Sequence, residues 1–122
     1  MIIFKKINDV LFFTMSGKIT DEDYKKVIIQ EIEKEKEILK DSEKLKLAIV
    51  LSDDFQGVSI KAVIDDIIYG FKNRNNFYKI GISGKHYKIQ DQLVKLANTM
   101  VSGEMKVYDD SEEMFKWLKE NL

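Results

Sequence analysis

The chain has no cysteine and no proline, a single histidine and a single arginine. Without cysteine there is no disulfide, no thiol nucleophile and no cysteine-ligated zinc. One histidine, His86, excludes a multi-histidine metal centre within the chain, and no metal site is expected. The lack of proline removes cis-proline turns and proline-rich linkers. Arg74 is the only arginine, whereas bidentate recognition of phosphate or guanine relies on arginine. Charge of either sign is not in excess: 20 lysine and arginine residues face 21 aspartates and glutamates, for a net charge of −1. Such a chain has no global field to draw in nucleic acid or an anionic membrane. No apolar run approaches the roughly 20 residues of a membrane span. The opening Met1-Ile2-Ile3-Phe4-Lys5-Lys6 is too short for a signal peptide and carries its charge after the apolar stretch, so the expected compartment is the cytoplasm.

Three motifs are also missing. There is no Gly-x-x-x-x-Gly-Lys-[Ser/Thr] loop, no Gly-x-Gly-x-x-Gly after a strand and no Gly-x-Ser-x-Gly elbow. Phosphate-loop nucleotide hydrolysis, dinucleotide binding and the serine-hydrolase elbow therefore find no support, and no cofactor is expected.

What remains is a globular composition. Of 122 residues, 44% are apolar and 34% charged, which fits one domain spanning residues 1–122 with a real core. Two apolar runs, Ile2-Ile3-Phe4 and Val10 to Met15, flank Asn8-Asp9, a pair suited to a tight turn, and predict a β-hairpin. Thr20 and Asp23 have capping-box spacing. They open a helix from about Asp21 to Leu39, with Tyr24, Val27, Ile28, Ile32 and Leu39 as its apolar stripe and a solvated, charge-alternating Glu31–Lys40 segment.

Leu45 to Leu51 is a nearly continuous apolar run, as expected of a strand covered on both faces. Ser59 then caps a helix whose inward face is Ile60, Val63, Ile64, Ile67, Ile68 and Phe71, with Asp65 and Asp66 off that stripe. Phe77 to Ile82 reads as a strand, and residues 87–100 as a helix with Ile89, Leu93, Leu96, Ala97 and Met100 inward. Gly103 reads as a break and Met105 to Tyr108 as a short strand. Asp110 and Glu113 open a last helix bearing Met114, Phe115, Trp117 and Leu118. The order β-β-α-β-α-β-α-β-α predicts an α/β domain. Its sheet is mixed and mostly parallel, made of an opening hairpin followed by alternating helices and strands, and flanked by helices.

In open α/β sheets, sites lie outside the carboxyl ends of the strands. Two groups of residues fall there. Ser16, Gly17 and Lys18, with Ser83, Gly84, Lys85 and His86, repeat a Ser-Gly-Lys sequence between a strand and a helix start, and form a candidate anion or ligand loop. Asp53, Asp54, Gln56, Gly57 and Ser59 follow the central strand and form a candidate regulatory or partner loop. Asp53, Asp54, Lys85 and His86 are also the residues an enzyme would use at this edge. No motif organises them into a catalytic constellation, so no enzyme activity is expected.

Four segments resemble the SpoIIAA-like family, a branch of the STAS-type fold. They are Gly17 to Tyr24, the strand and loop from Leu47 to Gly57, Asp65-Asp66-Ile67-Ile68-Tyr69-Gly70 leading into Tyr78 to Ile82, and the closing Tyr108 to Leu118. The resemblance spans nearly the whole chain. It implies a mixed sheet flanked by helices and kinship with anti-sigma-factor antagonists, which are protein-binding switches controlled by serine phosphorylation. The broad fold is also similar to lipid-carrier domains. Where the switch proteins carry an Asp-Ser-[Ser/Thr]-Gly acceptor, this chain has Gly57-Val58-Ser59-Ile60-Lys61. Where relatives often have Gly-Asp-Lys and an aromatic residue, it has Gly84-Lys85-His86-Tyr87, and Lys79 stands where an arginine is common.

The sequence thus leads to a non-catalytic protein-interaction or regulatory module, with a carrier of a small apolar or lipid-like ligand as the alternative. The expected partner is another protein or a second copy of the chain as a homodimer. No nucleic acid is expected, and peripheral lipid contact is left open.

Overall fold

The computed structural model describes residues 1–7, 9–38, 45–57, 59, 62–63, 65–66, 78–84 and 103–119. Strands β1 (Ile2–Ile7) and β2 (Val10–Met15) form the expected hairpin, turning at Asp9, which adopts φ 68°. Short carboxylate side chains tolerate that left-handed conformation. After β3 (Lys18–Ile19) comes a continuous helical stretch: α1 (Asp21–Tyr24), a π-helical turn (Lys25–Ile29) and α2 (Gln30–Ile38). The predicted capping box starts it. The Asp23 N–H donates to Thr20 Oγ1 at 3.2 Å and the Thr20 N–H to Asp23 Oδ2 at 3.0 Å, and these bonds hold the Asp23 carboxyl below its ordinary pKa. The π turn, which the 3.6-residue pattern did not foretell, keeps Tyr24, Ile28 and Ile32 buried on one side.

Strands β4 (Leu45–Leu51), β5 (Gln56–Gly57), β6 (Tyr78–Ser83) and β7 (Gly103–Tyr108) follow, and α3 (Ser111–Lys119) closes the described chain. Gly103, expected as a break, instead opens β7, pairing opposite Tyr78. Parallel pairing supplies hydrogen bonds that local sequence does not reveal. Asp110 caps α3 by accepting from the Glu112 N–H at 2.9 Å, one residue earlier than a capping box would place the bond. The helix predicted over 87–100 and most of the apolar stripe of residues 60–71 lie outside the described residues.

Five strands form one sheet in the order β1-β2-β4-β6-β7. β1 is antiparallel to β2, and every later neighbour is parallel. The described connecting helical residues, in the stretch 21–38 and at 62–63, pack on one face, as right-handed crossovers in a monotonic order require. On that face Leu11, Phe13, Leu47, Ile49, Ile80 and Ile82 pack with Tyr24, Ile28, Ile32 and Val63. The helix closing the chain is not a crossover, so it takes the opposite face, where Met114, Trp117 and Leu118 meet Val10 and Ala48. Because β4 is covered on both sides, Leu45, Leu47, Ala48, Ile49 and Leu51 are all buried, which accounts for its continuous apolar run.

Lys79 departs from this pattern. It is fully buried on the α3 side of β6, its Nζ donates to the Trp117 carbonyl, and it lies 4.3 Å from the Trp117 ring centroid. A cation at this carbonyl complements the negative end of α3, and the indole face adds a cation–π contact. The α2 surface carries the expected ion pairs, Glu31–Lys34 and Glu33–Lys36, and Lys6 of β1 reaches Glu35 at 3.0 Å.

Candidate functional site

The carboxyl ends of β2 and β4 lie side by side, Met15 opposite Leu51. This register brings two of the predicted loops together. The Ser52 N–H donates to the Met15 carbonyl at 3.0 Å, and the Gln56 N–H to the Gly17 carbonyl at 2.9 Å. The loops then pair as β3 and β5, with Lys18 opposite Gln56 and Ile19 opposite Gly57. Gly17 sits at φ 68°, a conformation glycine adopts at no steric cost. Its N–H donates to Asp54 Oδ1 at 3.1 Å. The amide offered by the Ser16-Gly17-Lys18 loop is therefore engaged by a carboxylate of the neighbouring loop. The amino terminus closes the edge: the Met1 ammonium donates to the Ser16 carbonyl, and the Ser16 N–H to the Met1 carbonyl at 2.9 Å.

This backbone platform carries side chains outward. Asp53, Asp54, Gln56 and Ser59 are all exposed. Ser59 is a helix N-cap: its Oγ accepts from the Ala62 N–H at 3.4 Å, and its carbonyl from the Val63 N–H at 3.1 Å. The remaining candidates divide. Ser83 and Gly84 end β6, with Ser83 opposite Val50 and the Gly84 N–H bonded to the Tyr108 carbonyl at 3.1 Å. Ser83 is buried and its Oγ has no hydrogen-bond partner among the described residues. Lys85 and His86 lie outside the described residues. Among the described residues, no cluster of three or more histidines and carboxylates is placed to hold a metal, and no helix is long and apolar enough to cross a membrane.

One contact was not anticipated. Tyr24 is buried, and its hydroxyl donates to Asp66 Oδ2 at 2.8 Å, tying α1 to the helical residues that follow Ser59. From sequence Asp65 and Asp66 read as solvent-facing or, with Lys61 and Tyr69, as a partner patch; Asp66 is exposed, and its bond to Tyr24 comes in addition. The hydrogen bond first, then burial and the Asp66 charge, push the Tyr24 phenol from 10.0 up to about 12. The fold therefore favours the neutral phenol. The stabilisation is complete below the unfolded pKa near 10 and is lost as the pH rises toward 12. Urea midpoints measured across that range should fall less steeply for Tyr24→Phe than for the native chain. At neutral pH the substitution should cost about 0.5–1.5 kcal/mol, one intramolecular hydrogen bond. Parallel pH profiles for the two proteins would remove Tyr24 from this role.

These features define a class: a mixed, mostly parallel sheet with a zipped carboxyl edge, crossover helices on one face and a terminal helix on the other. The chain belongs to the SpoIIAA-like family, whose family model matches residues 10–119. Among solved structures it is similar to an uncharacterised protein of the DUF3478 family from Shewanella loihica PV-4, described as having a SpoIIAA-like fold. The two share 26% identity with a TM-score of 0.64, over 97% of this chain and 92% of the other. No functionally curated protein matches the chain.

Proposed function

We propose that the chain is a non-catalytic protein-interaction module of the SpoIIAA-like family, with the loop after β4 and Ser59 as its contact surface. The observation that carries this reading is the zipping of the β2 and β4 loops into one platform, through β3–β5 and the Asp54–Gly17 bond, with Asp53, Gln56 and Ser59 outward. A surface held by backbone bonds loses little freedom when it binds, so more of its contact energy appears as affinity. Ser59 fits a charge-based control point. It is exposed at a helix start, where added negative charge is favourable to the helix. A phosphate there alters the surface without unfolding what lies beneath.

The test is capture by the tagged full chain from its own cells, quantified by mass spectrometry for the native protein, Ser59→Ala and Ser59→Asp. A partner should be held by the first two and its recovery changed about tenfold by Ser59→Asp, or about 1.4 kcal/mol, at an unchanged melting temperature. A partner held equally by all three, or none in repeated captures, overturns the proposal. Native mass spectrometry of the fresh protein separates the alternative, since a stoichiometric apolar passenger would make the chain a carrier.

A further inference from the structure

The α3 face of the sheet is only partly covered. α3 packs on β4, β6 and β7 and reaches toward the hairpin through Phe115, whose ring meets Phe12 edge-on at 5.9 Å between centroids. Side chains alternate along β1, so Ile2, Phe4 and Lys6 turn to the crossover helices, and Ile3, Lys5 and Ile7 turn to the α3 side opposite Thr14, Phe12 and Val10. No described element covers this strip, and Ile3 and Ile7 remain 46% and 40% exposed. Between the strip and α3 runs an open groove of about 470 Å³, floored by Ile7, Phe12 and Phe115 and edged by Glu112, Lys116 and Lys119.

Only some of the described lysines carry ion pairs, and Lys18 and Lys25, elsewhere on the surface, carry none among the described residues. Lys6, Lys26, Lys34 and Lys36 each pair with a glutamate, all on or facing the α1–α2 helical stretch. Among the described residues, Lys5, Lys116 and Lys119 make no ion pair. Lys119 instead lies over the Phe115 ring, 4.4 Å from its centroid. Two cations, Lys116 and Lys119, thus line the apolar floor beside one carboxylate, Glu112, among the described residues, and alternation along β1 puts Lys5 on the same face. The dimensions fit a helix. Two strands at about 4.8 Å spacing make a strip about 10 Å wide, the diameter of an α-helix with its side chains. A six-residue strand is about 20 Å long, or about 13 helical residues.

We propose that this groove docks an acidic amphipathic helix of a partner protein. Its apolar stripe lies on Ile7, Phe12 and Phe115, and its flanking carboxylates meet Lys5, Lys116 and Lys119. This is the helix-in-groove mode of recognition, with charge setting which helix is accepted. The site is on the opposite face from Ser59, so either surface can fail its test without the other.

The test uses the full chain and two fluorescein-labelled helical peptides of about 14 residues, identical in their leucine stripe and flanked by glutamate in one and lysine in the other. Fluorescence anisotropy should show the glutamate peptide binding at least about tenfold more tightly at low salt, about 1.4 kcal/mol, with the difference shrinking as salt screens it. Lys116→Glu combined with Lys119→Glu, both exposed positions, should reverse the preference. Ile7→Asn should weaken both peptides while leaving the circular dichroism spectrum unchanged. Equal affinity for the two peptides, or an unchanged preference after charge reversal, overturns the proposal. So does a concentration-dependent dimer abolished by Ile7→Asn, which would make a second copy the occupant. Binding of phosphatidylglycerol vesicles, blocked by Ile7→Asn, without discrimination between the peptides would equally overturn it.

Discussion

Phe13→Ala should lower stability by about 3–5 kcal/mol, the range for deleting a buried phenyl ring, and the melting temperature by about 10–20 °C for a domain of this size. Phe13 is fully buried at the middle of β2, where the hairpin and the parallel sheet share one strand. Its ring meets that of Phe4 of β1 at 5.0 Å between centroids, tilted by 31°, and Ile49 of β4 stands opposite on the same face. The crossover helices close over it, so the truncated site has little room to collapse and a cavity adds to the lost transfer energy. Phe4 is only partly buried, so Phe4→Ala should cost less than half as much. Thermal and urea unfolding of both variants decide the matter. A Phe13→Ala protein within about 1 kcal/mol of the native chain would mean that β2 presents its other set of side chains to this core, since a one-residue slip exchanges the faces of a strand.

The strands of the five-stranded sheet and the first and last described helices were legible because they obey local rules. β4 announces itself as a continuous apolar run, and Leu45, Leu47, Ile49 and Leu51 are buried on one face with Ala48 on the other. The Thr20 box and the Asp110 cap were visible because capping residues lie within three positions of the amides they serve. The parts that escaped depend on contacts between distant residues. β3 and β5 are two residues each, too short for any period, and exist because the ends of β2 and β4 come together. Asp54 reads as one carboxylate of a candidate loop after the central strand, and its described bond goes back 37 positions to Gly17. Tyr24 and Asp66 are 42 apart, and nothing local to either names the other. Lys79 interrupts an apolar strand, and its burial makes sense only once the carboxyl end of α3 lies above it. The described parts of the candidate loops lie at the carboxyl ends of β2, β4 and β6, while the way the first two engage each other had to come from the tertiary structure.

The same logic gives the second large effect, at Gly81. The sheet row Phe12, Ala48, Gly81, Lys106 runs beneath α3, and its two smallest members form the seat of the helix. A Cβ at Gly81 would stand 2.6 Å from Met114 Cγ and 3.2 Å from Leu118 Cδ1. Glycine weakens a strand interior, so its presence here reflects the close approach of the helix. Gly81→Ala should cost about 1–3 kcal/mol through overpacking. Gly81→Val, with two further methyl groups, should exceed it and lift α3 from the sheet. Trp117, the sole tryptophan, lies in α3 and reports that movement directly. Its emission should shift to the red and its iodide quenching rise in Gly81→Val, but not in folded Phe13→Ala, whose cavity lies on the other face. Met114→Ala in the Gly81→Val background should recover part of the loss, because side chains that compete for one space are not additive. Phe115 and Lys119 ride on the same helix and wall the groove beside it, so lifting α3 should also weaken binding of the glutamate peptide. A Gly81→Val protein with native stability and native Trp117 emission would show that α3 does not rest on this row, and would remove the wall on which the groove depends.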